Sequence, residues 1–157
     1  MKKLLIVFLV VVCASASAQT TFILVRHAEK ENTPGDKDPM LTKEGQARAQ
    51  SLVHLLDKQK IDAIYSTNFN RTKNTVQPLA DTKGVTIQTY QSLNLEELLA
   101  KHNGKTVVIC GHSNTIPQFA NALLGGKSFE NFDDSDYGNL IIITVAHGEK
   151  ALTHLRY

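Results

Sequence analysis

The sequence predicts an α/β fold, a three-layer sandwich in which a mostly parallel central sheet is flanked by helices and closed by two C-terminal hairpin strands. Three observations predict it. Short β-branched runs alternate with stretches of helical periodicity. The runs are continuously apolar, as in strands covered on both faces. The tail then changes to two extended runs joined by a two-residue turn.

Residues 22–25 (Phe22-Ile23-Leu24-Val25) give the first strand, and residues 62–65, 85–87 and 106–109 give the next three. Between the first two, Ala49, Leu52, Val53 and Leu56 keep the spacing of one helix face, with Thr42 as N-cap. That is the crossover helix a parallel strand pair requires. A second helix runs from near Asn70 to Ala80, with Thr72, Val76 and Leu79 inward and Pro78 as a kink. A short third helix carries Leu95, Leu98 and Leu99 and ends at Asn103-Gly104. The fourth presents Ile116, Phe119, Ala120 and Leu123, has Pro117 in its first turn and stops at Gly125-Gly126. Residues 140–146, a His147-Gly148 turn and residues 152–157 make the hairpin. The chain shows neither an internal repeat nor a low-complexity stretch.

Ahead of the domain, residues 1–18 have the layout of a cleavable secretory signal: Lys2 and Lys3, an apolar run over residues 4–12, then small residues ending Ala16-Ser17-Ala18. The run is shorter than the roughly 20 residues of a spanning helix, which disfavours a retained anchor. Val10-Val11-Val12 ahead of Cys13 lacks the small residues expected before a lipid-modified cysteine. Cleavage after Ala18 leaves residues 19–157 as a single domain with no stable membrane anchor, in the periplasm or outside the cell. Of 17 basic and 15 acidic residues, Lys2 and Lys3 depart with the signal, so 15 face 15. A near-neutral domain without a basic stripe is no general nucleic-acid binder. Cys110, the only thiol left, excludes an internal disulfide. Behind Val107-Val108-Ile109 it reads as a small buried apolar residue.

Polar residues follow three of the strands: Arg26-His27 after the first, residues 66–71 after the second, and Gly111-His112-Ser113-Asn114 after the fourth. Ligands of open parallel sheets bind at that edge. Two of these segments lead into helix starts, whose free N–H groups favour an anion. Two arginines and two histidines thus converge on one anion-binding pocket. The guanidinium fork matches phosphate oxygens in pairs, a neutral imidazole can attack phosphorus, and a second imidazole, protonated, can balance the developing charge. Such chemistry calls for no cofactor and no metal.

Leu24-Val25-Arg26-His27-Ala28-Glu29, Leu41-Thr42-Lys43-Glu44-Gly45, Ile64-Tyr65-Ser66-Thr67 leading to Arg71-Thr72, and Gly111-His112-Ser113-Asn114 follow one another in order. Together they resemble the histidine phosphatase superfamily, the phosphoglycerate-mutase-like proteins, from the first strand through the helix after His112. The resemblance implies that His27 becomes a phosphohistidine, that Arg26 and Arg71 grip the phosphoryl oxygens, and that His112 completes the pocket, with Asn114 near it. It also implies a carboxylate that protonates the leaving oxygen. Glu96 and Glu97 occupy the interval where the mutase-like branch has it, Glu96 being the candidate, with Glu29, Glu31 and Asp36 as rivals. Ser113 stands where other branches carry an aspartate directly after the second histidine.

Only 40 residues separate Arg71 from Gly111, which leaves little room for a substrate cap and suits water as acceptor. The expected function is therefore metal-independent phosphomonoester hydrolysis through a phosphohistidine on His27, acting on a small phosphorylated substrate. The alternative is a non-catalytic module of the same fold that binds phosphorylated ligands. A serine hydrolase is disfavoured because Thr115 replaces the last glycine of G-x-S-x-G. A metal site built on His27, Glu29 and His112 lacks a compact ligand motif, and the arginines would repel the cation. His54 falls off its helix stripe, His102 sits where a helix C-terminus favours positive charge, and His147 and His154 belong to the hairpin, so none receives a role. Residues 31–38 and 128–137 read as loops that shape substrate choice. Natural substrate and oligomeric state are not legible in these residues.

Overall fold

Strands that are apolar on both faces have to be covered on both faces, and the chain folds accordingly. The computed structural model describes residues 19–157. The predicted secretory signal, residues 1–18, lies outside them. Strands β1 (Thr20–Arg26), β2 (Ala63–Thr67), β3 (Ile87–Tyr90) and β4 (Thr106–Gly111) run parallel, and β5 (Asn139–Ala146) and β6 (Glu149–Arg156) complete the sheet as an antiparallel hairpin. Their order is β3-β2-β4-β1-β5-β6.

Alternation along β1 and β4 divides the core in two. Phe22, Leu24, Val107 and Ile109 face helices α3 (Leu95–Lys101) and α4 (Thr115–Leu124), which contribute Leu98, Ile116, Ala120 and Leu123. Ile23, Val25, Val108 and Cys110 face α1 (Lys43–Leu55) and α2 (Asn70–Lys83), which contribute Leu52, Val76, Leu79 and Ala80. Cys110 is fully buried, and burial pushes its thiol pKa up, so it packs as a small apolar residue. Among the described residues no helix is long and apolar enough to cross a membrane.

Local chemistry explains the element ends. Thr42 caps α1, its Oγ1 accepting from the Gly45 N–H at 3.1 Å, and Gly45 itself lies directly against the Glu29 backbone. Helix α2 runs three residues past the expected end because Gly84, at φ 64°, adopts the left-handed conformation that closes it. Val85 is then drawn into that closure by its N–H bond to the Ala80 carbonyl, so β3 starts at Ile87 rather than at residue 85. His147 (φ 52°) and Gly148 (φ 81°) form the hairpin turn with two positive φ angles, the geometry that matches strand twist. Strand β6 starts at Glu149, earlier than expected, because so tight a turn brings Glu149 opposite Ala146 at once. His102 departs from the positive charge that its place at a helix C-terminus favours. It is 3% exposed with its Nε2 2.9 Å from the Tyr65 hydroxyl, and burial lowers its pKa, so it is a neutral core histidine.

Candidate active site

Register decides which side chains meet. Pairing of Arg26 with Gly111 across β1 and β4 makes the next residues, His27 and His112, neighbours at the C-terminal edge of the sheet. The His27 N–H extends that ladder to the Gly111 carbonyl at 2.9 Å, and the two imidazole centroids lie 5.4 Å apart. Ser66 pairs with Cys110, so the following Thr67 reaches His112 Nε2 at 3.0 Å. The four residues expected at the site, Arg26, His27, Arg71 and His112, line one pocket of about 350 Å³ with Lys30, Ser113, Asn114, Asp134 and Tyr137.

His27 is 4% exposed. Its Nδ1 lies 2.9 Å from the Ala28 carbonyl and donates to it, which leaves the lone pair on Nε2. The carbonyl is held in turn, because the Ala28 N–H donates to Thr75 Oγ1 at 2.9 Å and Thr75 donates to the Arg71 carbonyl at 2.7 Å. Burial, followed by the charges of Arg26 and Arg71, overrides the Ala28 hydrogen bond and lowers the His27 pKa to about 3. The imidazole is therefore neutral at any ordinary pH and available as a nucleophile.

His112 is lowered to about 4 by burial and by the charges of Arg71 and Arg26. Thr67 Oγ1 donates to Thr72 Oγ1 at 2.9 Å, so the His112 Nε2–H must be the donor in the Thr67–His112 bond. Protonation at Nδ1, which an incoming anion favours, would make His112 a donor at both nitrogens.

The arginines are held differently from the expectation that both forks grip the anion. Arg26 is 3% exposed; its Nη1 donates to the carbonyls of Asp133 (2.6 Å) and Asp136 (3.1 Å), its Nη2 donates to that of Asp134 (3.0 Å), and the Tyr137 ring stacks on it at 4.3 Å. The loop before β5 thus uses up the fork. Arg71 stacks on Phe69 at 4.2 Å, with Nη1 3.4 Å from the Lys37 carbonyl and 3.6 Å from Asp38 Oδ1. Both Nε–H groups are buried and have no hydrogen-bond partner among the described residues. An unmade charge-assisted bond of this kind costs more than about 1–3 kcal/mol.

Glu96, the expected proton donor, is a correction. It is exposed in the first turn of α3 and lines no part of this pocket, because the Asn94 cap starts the helix with its carboxylates toward solvent. Glu97 borders a different depression with Tyr65, Tyr90 and Lys101. Glu29 is bound by Arg48 through both its oxygens, at 2.6–3.0 Å; burial opposes but those bonds win, holding the carboxyl below its usual range. Glu31 is exposed, and Asp36 Oδ1 accepts from the Asp38 N–H. Among the described residues no group of three or more His, Cys, Asp or Glu side chains stands in position to hold a metal ion. A larger groove of about 450 Å³ along α1 and α2 carries no ionisable side chain. Sequence reasoning missed Asp134, Tyr137, Thr67 and Thr75 as individual residues, although the acidic run over residues 133–136 marked the loop of Asp134 and Tyr137.

The family model of the histidine phosphatase superfamily (branch 1) matches residues 22–94, the segment that carries Arg26, His27 and Arg71. Over those residues the chain is similar to that superfamily. It is 37% identical over 70 residues to phosphoserine phosphatase 1 of Hydrogenobacter thermophilus. That match covers 41% of this chain and 33% of the relative, so the chain spans about a third of the length of the curated relative it matches. Among solved structures, phosphoserine phosphatase of Entamoeba histolytica with bound phosphoserine superposes with a TM-score of 0.66 at 22% identity, over 85% of this chain and 95% of that one. The protein histidine phosphatase SixA with tungstate superposes with a TM-score of 0.70 at 14% identity, over 87% and 96%. These two likenesses show a shared fold over 85% and 87% of this chain, more than the family model matches.

Proposed function

We propose that this chain is a phosphomonoester phosphatase that works through a phosphohistidine on His27. The observation that carries the reading is the placement of a neutral His27, its Nδ1 fixed by the Ala28 carbonyl, in one pocket with Arg26, Arg71 and His112. In the first step Nε2 of His27 attacks phosphorus and the ester oxygen departs. The charges of Arg26 and Arg71, together with a protonated His112, balance the charge on the phosphoryl oxygens as it builds. Water then attacks phosphorus, releasing phosphate and returning His27 to its neutral form. The relatives act in the same sense, since two are phosphoserine phosphatases and one is a protein histidine phosphatase. A pocket of about 350 Å³ with Lys30, Ser113 and Asn114 on its polar rim suits a small phosphorylated metabolite.

We further propose that the protein acts outside the cytoplasm, on the evidence of the Lys2-Lys3, apolar run and Ala16-Ser17-Ala18 pattern. Purified residues 19–157 incubated with an aryl phosphate, with and without EDTA, provide the direct test. Turnover that EDTA leaves unchanged is expected. Absence of turnover from acid to neutral pH would favour a phosphate-binding module instead, and loss of turnover in EDTA would require a metal.

A further inference from the structure

Resting on the phosphatase reading above, we propose that Asp134 is the proton donor to the departing oxygen. An alkoxide leaves phosphorus poorly, and a positioned general acid contributes about 10²–10⁴-fold to such a step. Among the described residues Asp134 is the one acidic residue that lines the pocket of His27, His112 and the two arginines. The other nearby acids line no part of that pocket and have partners of their own: Glu29 has Arg48, Asp38 has the Asn70 N–H and Arg71, and Asp136 has Arg156.

Its position fits in-line displacement. His27 is at the buried floor, so the oxygen opposite the attacking Nε2 points outward, toward the rim. The Asp134 carboxylate stands on that rim with its side chain fully exposed and Oδ1 3.7 Å from Arg26 Nη2. The rim is tethered as well. Arg26 donates to the carbonyls of Asp133, Asp134 and Asp136 and stacks on Tyr137, so an arginine of the pocket also holds the donor's loop.

The proton balance closes. As the Nε2–P bond forms and the P–O ester bond breaks, the Asp134 carboxylic proton passes to the ester oxygen, which leaves as the alcohol. The resulting carboxylate takes a proton from the water that cleaves the Nε2–P bond, and the products are inorganic phosphate, neutral His27 and the carboxylic acid.

Leaving-group dependence tests the assignment. Wild type, Asp134→Asn and Glu130→Gln, the last an exposed carboxylate of the same connection paired with Lys127, are assayed on 4-nitrophenyl phosphate and on glycerol 2-phosphate. A good leaving group needs little protonation, so Asp134→Asn should lose no more than a few-fold on the aryl ester but about 10²–10⁴-fold in kcat on the alkyl ester. Glu130→Gln should match wild type on both. Equal losses of Asp134→Asn on both esters, a change confined to KM, or no change at all would each overturn the assignment while leaving the phosphatase reading intact. Wild type inactive on both esters would instead overturn that reading.

Discussion

A nucleophilic histidine has to be neutral, and at His27 burial does most of that work, with two guanidinium charges assisting. The consequence is measurable. Ring resonances of His27 should show no protonation until the pH falls to about 3, whereas a midpoint near 6.5 would contradict the buried, unpaired environment. Stability follows with a definite sign. Between pH 6.5 and about 3 the unfolded chain takes up a proton that the native His27 refuses, so stability is lost as pH falls through that window and the loss levels off below it. His112, lowered to about 4, adds to the same slope. Thr75 offers a second test at this scale. Thr75→Val keeps the shape but leaves the Ala28 N–H unpaired in the core, a cost of about 1–3 kcal/mol in urea unfolding. It should also lower kcat, because the carbonyl that orients His27 loses its anchor. Arg26, His27, Arg71 and His112 were legible in the sequence because each sits at or just past a strand end or in the first turn of the helix that follows. Asp134 was not, since it reaches the pocket from a loop 107 residues beyond His27 through backbone contacts no side-chain pattern encodes. Glu96 shows the converse, since lying between two site residues along the chain does not bring a side chain to them.

At the scale of elements, the most constrained contact is the start of α1 on the strand-exit segment. A Cβ at Gly45 would overlap the Glu29 carbonyl oxygen, which is main chain and has no rotamer to move into. Gly45→Ala gains about 1 kcal/mol in helix propensity. Overpacking costs about 1–3 kcal/mol, and against an immovable carbonyl the upper part of that range applies. Net destabilisation is therefore expected in urea unfolding, together with reduced activity because Glu29 lies two residues from His27; a more stable Gly45→Ala variant would refute this packing. Helix faces, the Thr42 cap and the His147-Gly148 turn could be read from the sequence because each depends on residues close along the chain. The start of β3 could not. The left-handed turn at Gly84 and the Val85–Ala80 bond compete with the β-branched run at residues 85–87 and win.

For the whole molecule, strand order explains why four distant segments form one site. With β4 between β1 and β2, the three segments that carry His27, Arg71 and His112 follow adjacent strands at one sheet edge. The neighbouring β5 brings the loop with Asp134 and Tyr137 over Arg26. Alternation of strands and helices was enough to predict the layers, but only pairing and register place these segments side by side. Export belongs to this scale too. Expression of the full chain in a Gram-negative host should yield periplasmic protein whose N-terminal residue is Gln19, and intact chain retained in the cytoplasm would contradict the proposed signal. The central claim, a covalent phosphoryl group on His27, is tested most directly by quenching a reaction with radiolabelled phosphomonoester in alkali and mapping the label by mass spectrometry. The account predicts an acid-labile, base-stable label on the peptide containing His27, absent from His27→Ala. Label on any other residue, or turnover by His27→Ala at the wild-type rate, would contradict it.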